Sequence, residues 1–253
     1  KQLAQETLTN LGYKTIKSTF LIPDDYKSVS AYITEAKKRV TKFPIILKPN
    51  RGFDGRGIKY IANLPSLKKE LNTFYKNGTT VIMQPIITAS EYRILVINGK
   101  VELVHSKDFR SVVGDGKKTI ATLLEKIAPK NKNEDFIRMQ YEINSYTSKT
   151  ILEKDVQFWY HIVKDSSSRH YQFDKFPKEL TAWAKALTED LCIHTIGIDL
   201  FMEGDFTDTT KYTIIELNSN PGLSHYYTAC NDTVQPERIC EKELRDYFKL
   251  YID

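Results

Sequence analysis

Residues 43–61 read Phe-Pro-Ile-Ile-Leu-Lys48-Pro-Asn-Arg-Gly52-Phe-Asp-Gly55-Arg-Gly57-Ile-Lys-Tyr-Ile61, and the order of elements in this stretch decides the fold. The apolar run Phe43 to Lys48 predicts a strand, and Ile58 to Ile61 predicts a second one directly after the glycines. A glycine cluster between two strands excludes two common nucleotide sites. A P-loop requires G-x-x-x-x-G-K-[ST] opening a helix, and a dinucleotide fingerprint requires G-x-G-x-x-G opening one. What remains is a hairpin whose bare backbone amides can fold over phosphates, set against the plainer reading that the glycines only make turns. Lys48, at the end of the first strand, is placed to neutralise a phosphate.

Upstream of this stretch the sequence predicts a helix ending at Gly12, a strand over Ser18 to Ile22 and a helix from about Ser28 to Val40. Downstream come an amphipathic helix over Ser66 to Asn77 and a strand over Val81 to Ile87. A hairpin from Tyr92 to His105 follows, closed by Asn98-Gly99, a strong turn signal. A helix is expected over Thr119 to Ile127 and another over Pro177 to Leu191, then strands over Thr195 to Met202 and Lys211 to Asn218, and a last helix around Glu237 to Leu250. The class is α+β. The strand at 81–87 is read as a crossing between two lobes, which divides the chain into 1–87 and 88–253.

The bulk properties narrow the function. The 253 residues are 41% hydrophobic with 12 Phe and 15 Tyr, enough for one large core or two modest ones. Lys and Arg (37) exceed Asp and Glu (32) by five charges, which suits an anionic ligand; nucleic acid is not expected as a partner. No run approaches the roughly 18 apolar residues of a membrane span, and the N-terminus lacks the layout of a signal peptide. Cys192, Cys230 and Cys240 have no C-x-x-C spacing, so a disulfide framework is not indicated and a cytoplasmic location is expected. A homo-oligomer is admitted. Because the chain opens inside a helical pattern, further sequence upstream is also expected.

A second constellation lies in Ile196-Gly-Ile-Asp199-Leu-Phe-Met202 and Ile214-Ile-Glu216-Leu-Asn218-Ser-Asn-Pro221-Gly222. Strand alternation puts Glu216 and Asn218 on one face. If the strands pair antiparallel with Glu203 opposite Tyr212, then Asp199 lies opposite Glu216, and the three oxygen-bearing side chains converge as a hard cluster suited to Mg²⁺. Two carboxylates on neighbouring strands can also simply face solvent. The apolar flanks of both strands argue against that.

Between these two regions, Gln84 sits at the crossing, and Glu91 can accept both hydroxyls of a ribose. Arg93 and Lys107 occupy the two arms of the Asn98-Gly99 hairpin and are suited to a transferred phosphoryl group. A regular two-residue turn pairs Ile97 with Lys100 and therefore Arg93 with Val104. Lys107 then falls on the opposite face from Arg93, so the reading requires a bulge.

Taken together, Lys48-Pro-x-x-Gly-x-x-Gly-Arg-Gly-Ile58, Glu91-Tyr-Arg93, Val112-Val-Gly-Asp-Gly116-x-x-Thr-Ile120, Gly197-Ile-Asp199 and Glu216-Leu-Asn218-x-x-Pro-Gly222 resemble the ATP-grasp superfamily in their order. The glycine loop and the Val-Val-Gly-Asp-Gly motif look most like cyanophycin synthetases and the ATP-grasp half of bifunctional glutathione synthetases. The motif at 216–222 also resembles D-alanine:D-alanine ligases. The resemblance implies an ATP-grasp fold of two α+β lobes clamping a nucleotide, without the N-terminal domain usual before it. It implies a carboxylate–amine ligase that uses ATP and Mg²⁺, with Mn²⁺ as a substitute, and forms an acyl-phosphate from a small-molecule or peptide carboxylate. An ATP-grasp phosphotransferase or a nucleotide-binding regulatory module is the alternative.

Residue by residue, the resemblance implies that Lys48 meets ATP phosphate and that Gly52, Gly55, Arg56 and Gly57 close over it. Gln84 and the backbone through Ile87 would read adenine, and Glu91 would hold ribose. Arg93 and Lys107 would bind the γ-phosphate or acyl-phosphate, and Asp199, Glu216 and Asn218 would hold the metal. Two positions depart from the pattern. Gln84 stands where many relatives are acidic. Gly197 stands where D-alanine:D-alanine ligases have an arginine, whose role would pass to Arg93 or Arg110. The segment from about Asn131 to His170, with Tyr141, Trp159, Tyr160, His161, Arg169 and His170, lies where acceptor specificity is expected, although packing explains these aromatics as well.

Overall fold

The structure, a computed structural model, describes residues 1–52, 57–87, 89–128, 132–165, 171–172, 175–221 and 245. Its elements in chain order are α1 (Gln2–Asn10), β1 (Thr19–Leu21), α2 (Val29–Arg39), β2 (Ile45–Pro49), β3 (Lys59–Ile61), α3 (Leu64–Lys76), β4 (Val81–Pro85), β5 (Ser90–Ile97), β6 (Lys100–Val113), α4 (Ile120–Glu125), α5 (Glu134–Asn144), β7 (Gln157–Asp165), β8 (Tyr171–Gln172), α6 (Lys178–Asp190), β9 (Thr195–Met202) and β10 (Tyr212–Asn218). The helix expected at 237–250, together with Gly55, Arg56, Arg169, His170 and Gly222, lies outside the described residues.

Local chemistry sets the helix starts. Ser28, Asn63, Thr119 and Asn133 each precede a helix, and the side-chain oxygen of each accepts the backbone N–H three residues on. Each cap satisfies one otherwise orphaned donor of the first turn and contributes about 1 kcal/mol. The helix α5 had no clear signal in the polar stretch 128–150. Its Asn133 cap and the buried apolar residues Phe136, Ile137 and Met139, with Gln140 buried beside them, account for it.

The chain forms two compact units. Unit 1 comprises Lys1–Ile16, Ile87–Asp108 and Asp165–Asp253; unit 2 comprises Lys17–Ile86 and Phe109–Lys164. In unit 2 a four-stranded sheet of order β1-β4-β2-β3 packs one face, with Leu21, Ile45, Leu47, Ile61, Val81 and Met83, against α2 and α3 through Tyr32, Ala36, Leu67 and Leu71. Each fully buried aliphatic side chain there contributes about 1.5–3 kcal/mol. The same unit holds the end of β6, α4, α5 and β7, joined by a core of Val112, Ile120, Leu124, Ile137, Phe158 and Tyr160.

In unit 1 the strands run β10-β9-β5-β6, antiparallel throughout, with β8 against β6. Ile94, Val96, Val104, Ile196, Ile198, Leu200, Tyr212 and Ile214 form one apolar face, covered by Leu8 of α1 and Leu180, Ala184 and Leu187 of α6. The backbone of Lys14 accepts from Ile214, and Thr15 pairs with Ile214 in parallel, so residues 14–15 extend the β10 edge.

Both registers differ from those expected, for the same reason. At the Asn98-Gly99 end the hairpin pairs Ile97 with Lys100, as a two-residue turn dictates. A bulge between Leu95 and Val96 then shifts the partners, so that Arg93 faces His105 and Glu91 faces Lys107. In the β9–β10 pair, Tyr212 faces Met202 rather than Glu203. A second bulge, at Ile215, restores the expected pairing of Glu216 with Asp199 and of Asn218 with Gly197.

Candidate functional site

Because side chains alternate along a strand, the pairing table gives the composition of the unit 1 sheet face opposite the core. His105, Arg93, Asp199 and Glu216 form one row across β6, β5, β9 and β10. Lys107, Glu91 and Phe201 form the row on one side, and Leu103, Leu95, Gly197 and Asn218 the row on the other. The two bulges produce this grouping. Without the first, Lys107 would leave the face that carries Arg93. Without the second, Glu216 would share the apolar face with Tyr212 and Ile214.

Within that face Asp199 is the hub. The Arg93 Nε donates to its Oδ1 at 2.7 Å and an Arg93 terminal nitrogen donates to Oδ2 at 2.7 Å, a two-pronged pair. Lys107 Nζ donates to Oδ2 at 2.7 Å and lies 3.2 Å from Glu91 Oε1. Asn218 Nδ2 adds a longer contact to Oδ2 at 3.4 Å. Asp199 is 5% exposed, and burial by itself would push its carboxyl up; the Lys107 charge and the Arg93 bonds outweigh that and hold it at about 2. The carboxylate in turn holds the Arg93 guanidinium and the Lys107 ammonium in fixed orientations on this face.

Glu216, half-buried, faces a cation that the sequence did not suggest. Lys1 Nζ, at the start of α1, lies 3.5 Å from Glu216 Oε2. Nothing in the spacing of residues 1 and 216 signals this pair.

Gly197 explains its own identity. A Cβ there would stand 2.9 Å from Pro221 Cβ, 3.6 Å from Asn218 Cβ and 3.8 Å from Arg93 Cδ. Pro221 and Arg93 thus occupy the space into which any side chain at 197 would grow.

Unit 2 carries the other predicted residues. On the face of its sheet opposite the α2/α3 core, Lys48 pairs with Ile82 and Gln84 with Ile46, which in turn pairs with Tyr60. Lys48 is 8% exposed and Gln84 6%. The Gln84 amide donates to Ser18 Oγ at 2.7 Å. Gly52 and Gly57 flank the loop. Arg110 also belongs to unit 2 and sits on β6 two residues before Val112, which packs into the core shared by α4, α5 and β7. Ile87 is half-buried at the start of the unit 1 segment. The motif at 112–116 is built around a close approach. A Cβ at Gly114 would overlap the Glu153 carbonyl oxygen and come within 2.7 Å of Leu152 Cβ, while Asp115 accepts from the backbone N–H groups of Lys117 and Lys118.

No protein-family model matches the chain. Among curated proteins it is similar to the glutathione biosynthesis bifunctional protein GshAB of Listeria monocytogenes, 28% identical over 201 residues, covering 71% of this chain and 26% of that protein. It is also similar to the cyanophycin synthetase of Trichormus variabilis, 31% identical over 96 residues, covering 38% of this chain and 11% of that one. The chain thus spans about a quarter of the length of that GshAB protein. Among solved structures it resembles the D-alanine–D-alanine ligase of Bacillus anthracis, with TM-score 0.55, 16% identity and coverage of 97% of this chain and 67% of that one. It also resembles the ATP-grasp ligase PsnB in complex with a minimal precursor, Mg and ADP, with TM-score 0.51, 12% identity and coverage of 97% and 57%. The likenesses to solved structures give the chain an ATP-grasp fold, and the curated proteins to which it is similar are a glutathione biosynthesis protein and a cyanophycin synthetase.

Proposed function

We propose that the chain is the ATP-binding body of a carboxylate–amine ligase, which activates a carboxylate as an acyl-phosphate and joins it to an amine. The observation that carries this reading is the Arg93–Asp199–Lys107 cluster on the face of the β5/β6/β9/β10 sheet opposite the α1/α6 core. It keeps two cations desolvated and oriented, which is what a phosphoryl group in transfer requires.

In this reading Lys48 neutralises a nucleotide phosphate with the loop of Gly52, Gly55, Arg56 and Gly57. Gln84 and the backbone to Ile87 meet adenine, and Glu91 accepts the ribose hydroxyls. Asp199, Glu216 and Asn218 would hold Mg²⁺, or Mn²⁺ in its place. The donors fit such a cation: all are hard oxygens, Asp199 and Glu216 face each other in the ladder, Asn218 is two residues along on the same face, and Asp199 stays ionised. Bound there, the metal supplies charge neutralisation to the phosphates. Arg93 and Lys107 hold the γ-phosphoryl oxygens as a substrate carboxylate oxygen attacks phosphorus and ADP departs. The amine nitrogen then attacks the acyl carbon, phosphate leaves with the C–O electron pair, and the amine proton passes to solvent.

The substrates are a small-molecule or peptide carboxylate and an amine. The test is ADP release from a matrix of carboxylate and amine pairs, with and without EDTA. Dependence on ATP, divalent metal and both substrates supports ligation. A phosphorylated product that accumulates with no amine requirement identifies a phosphotransferase instead.

A further inference from the structure

Gln84 places an amide among apolar neighbours on the unit 2 sheet. It is 6% exposed, and Ile46, its partner in the ladder, packs with Tyr60, Phe136 and Met139. β1 pairs with β4 through Leu21 and Val81, Phe20 and Ile82, and Thr19 and Met83, so the next position back along the chain, Ser18, falls opposite Gln84. There the Gln84 amide nitrogen donates to Ser18 Oγ at 2.7 Å. Among the described residues this bond engages the nitrogen of the amide, and its oxygen accepts from none of them.

A primary amide has one edge that donates and one that accepts, and the two are nearly equal in shape. Turned one way, Gln84 offers its oxygen to a 6-amino purine, whose exocyclic nitrogen donates. Turned the other way, it offers its nitrogen to a 6-oxo purine, whose oxygen accepts. A carboxylate accepts through both oxygens and needs no such control. With an amide, the preference depends on what holds the nitrogen. In apolar surroundings an amide edge left against a like group costs affinity, because no water compensates for it.

We infer that Ser18 is a positioning residue that sets the base preference of the nucleotide site: its hydroxyl takes the Gln84 nitrogen and so leaves the Gln84 oxygen for a 6-amino purine, against a 6-oxo one. The inference rests on Gln84 meeting the base, as proposed for this site, and goes beyond it by naming the residue that orients the amide. Nothing in the sequence marks Ser18 as more than the start of a strand.

The experiment is calorimetric binding of ADP and of IDP, whose base carries a 6-oxo group in place of the amine. The proteins are the 253-residue chain and its Ser18→Ala, Ser18→Thr, Ser18→Val and Gln84→Met variants, with fold checked by circular dichroism and thermal midpoint. Thr and Val share a shape and differ in the hydroxyl, so comparing those two variants removes any packing loss at position 18. The unsubstituted chain is expected to bind ADP about tenfold or more tightly than IDP. In Ser18→Ala and Ser18→Val the ratio is expected to fall to about threefold or less, as the amide turns, while Ser18→Thr keeps it. Gln84→Met is expected to weaken ADP binding about three- to tenfold. If Gln84→Met weakens ADP binding but Ser18→Ala and Ser18→Val keep the original ratio, the inference is overturned and Gln84 stays at the base. A preference for IDP in the unsubstituted chain also overturns it. If Gln84→Met binds ADP as tightly as the unsubstituted chain, the assignment of Gln84 to the base falls, and the inference with it.

Discussion

Asp199 faces Glu216 across the β9–β10 pair because β10 carries one extra residue, Ile215, after Ile214 has taken its place in the core. A companion bulge between Leu95 and Val96 brings Lys107 onto the face of Arg93. Both cations then converge on one buried carboxylate, with contacts of 2.7 Å each.

Removing that carboxylate takes from Arg93 and Lys107, at 17% and 14% side-chain exposure, the counter-ion that they share, with Glu91 still beside Lys107. Asp199→Ala is therefore expected to lower unfolding free energy by about 3–5 kcal/mol. Asp199→Asn, which keeps shape and some hydrogen bonding, should lose less. Urea denaturation of the two variants compares them directly, and equal losses would mean that charge is not what Asp199 contributes.

The acid limb of stability follows from the same residue. Its folded value of about 2 lies below its ordinary 3.8, so the ionised form is favoured by folding. The stabilisation is complete above about pH 4 and disappears as pH falls through the folded value; it amounts to about 2 kcal/mol. Unfolding free energies of the unsubstituted chain and Asp199→Asn, measured from pH 5 down to 2, should converge by that amount. A constant gap would show that the shift is absent.

Gly197→Ala is the smallest change that tests the packing around the cluster. Its methyl would stand 2.9 Å from Pro221 Cβ, so the chain around Pro221 must give way. We expect a loss of about 1–3 kcal/mol, read as a lower thermal midpoint. The variant should also weaken nucleotide binding, because Asn218 Cβ and Arg93 Cδ are the next neighbours, at 3.6 and 3.8 Å.

Gly114→Ala probes a different place. Gly114 N–H donates to the Val156 carbonyl at 2.8 Å and its own carbonyl accepts from Asp155 N–H at 3.0 Å, with no room left for a Cβ. A loss of about 3 kcal/mol or more is expected, since backbone rather than a flexible side chain must move. Amide hydrogen exchange should report it first at Leu152 to Val156.

On the unit 2 sheet, Lys48→Met keeps the length of the stem and removes the charge. If Lys48 meets a phosphate, affinity for ADP measured by calorimetry should fall at least tenfold while the thermal midpoint moves little. Unchanged affinity would remove Lys48 from the nucleotide site.

The order and type of the main strands were legible because their signals are local. Thr195–Met202 alternates over its full length, and Asn98-Gly99 fixes the hairpin turn. Asp199 opposite Glu216 was also legible, although through a register that was wrong at Tyr212. A bulge in the hairpin was required by the grouping of Arg93 with Lys107, although not its place, whereas the Ile215 bulge was not legible, because a bulge is an agreement between two strands about which residue to leave unpaired, and only the packed core of Tyr212 and Ile214 settles it. The Lys1–Glu216 pair joins positions 215 residues apart and had no signal at all. The helix α5 was missed because its polar residues mask a spacing that only burial makes visible.

The division of the chain into units also dictates an order of events during synthesis. Unit 2 is complete once residue 164 has been made, whereas unit 1 waits for β9 and β10. Arg93 and Lys107 leave the ribosome 106 and 92 residues ahead of Asp199, the carboxylate that neutralises them. For that interval the future β5/β6 hairpin has an apolar reverse side and no sheet neighbour at β9, and Arg93 lacks its Asp199 partner. The nascent chain thus passes through a stage in which the two parts of unit 2 are complete on either side of an unfinished hairpin, and the Asp199 cluster is closed only when β9 has been made.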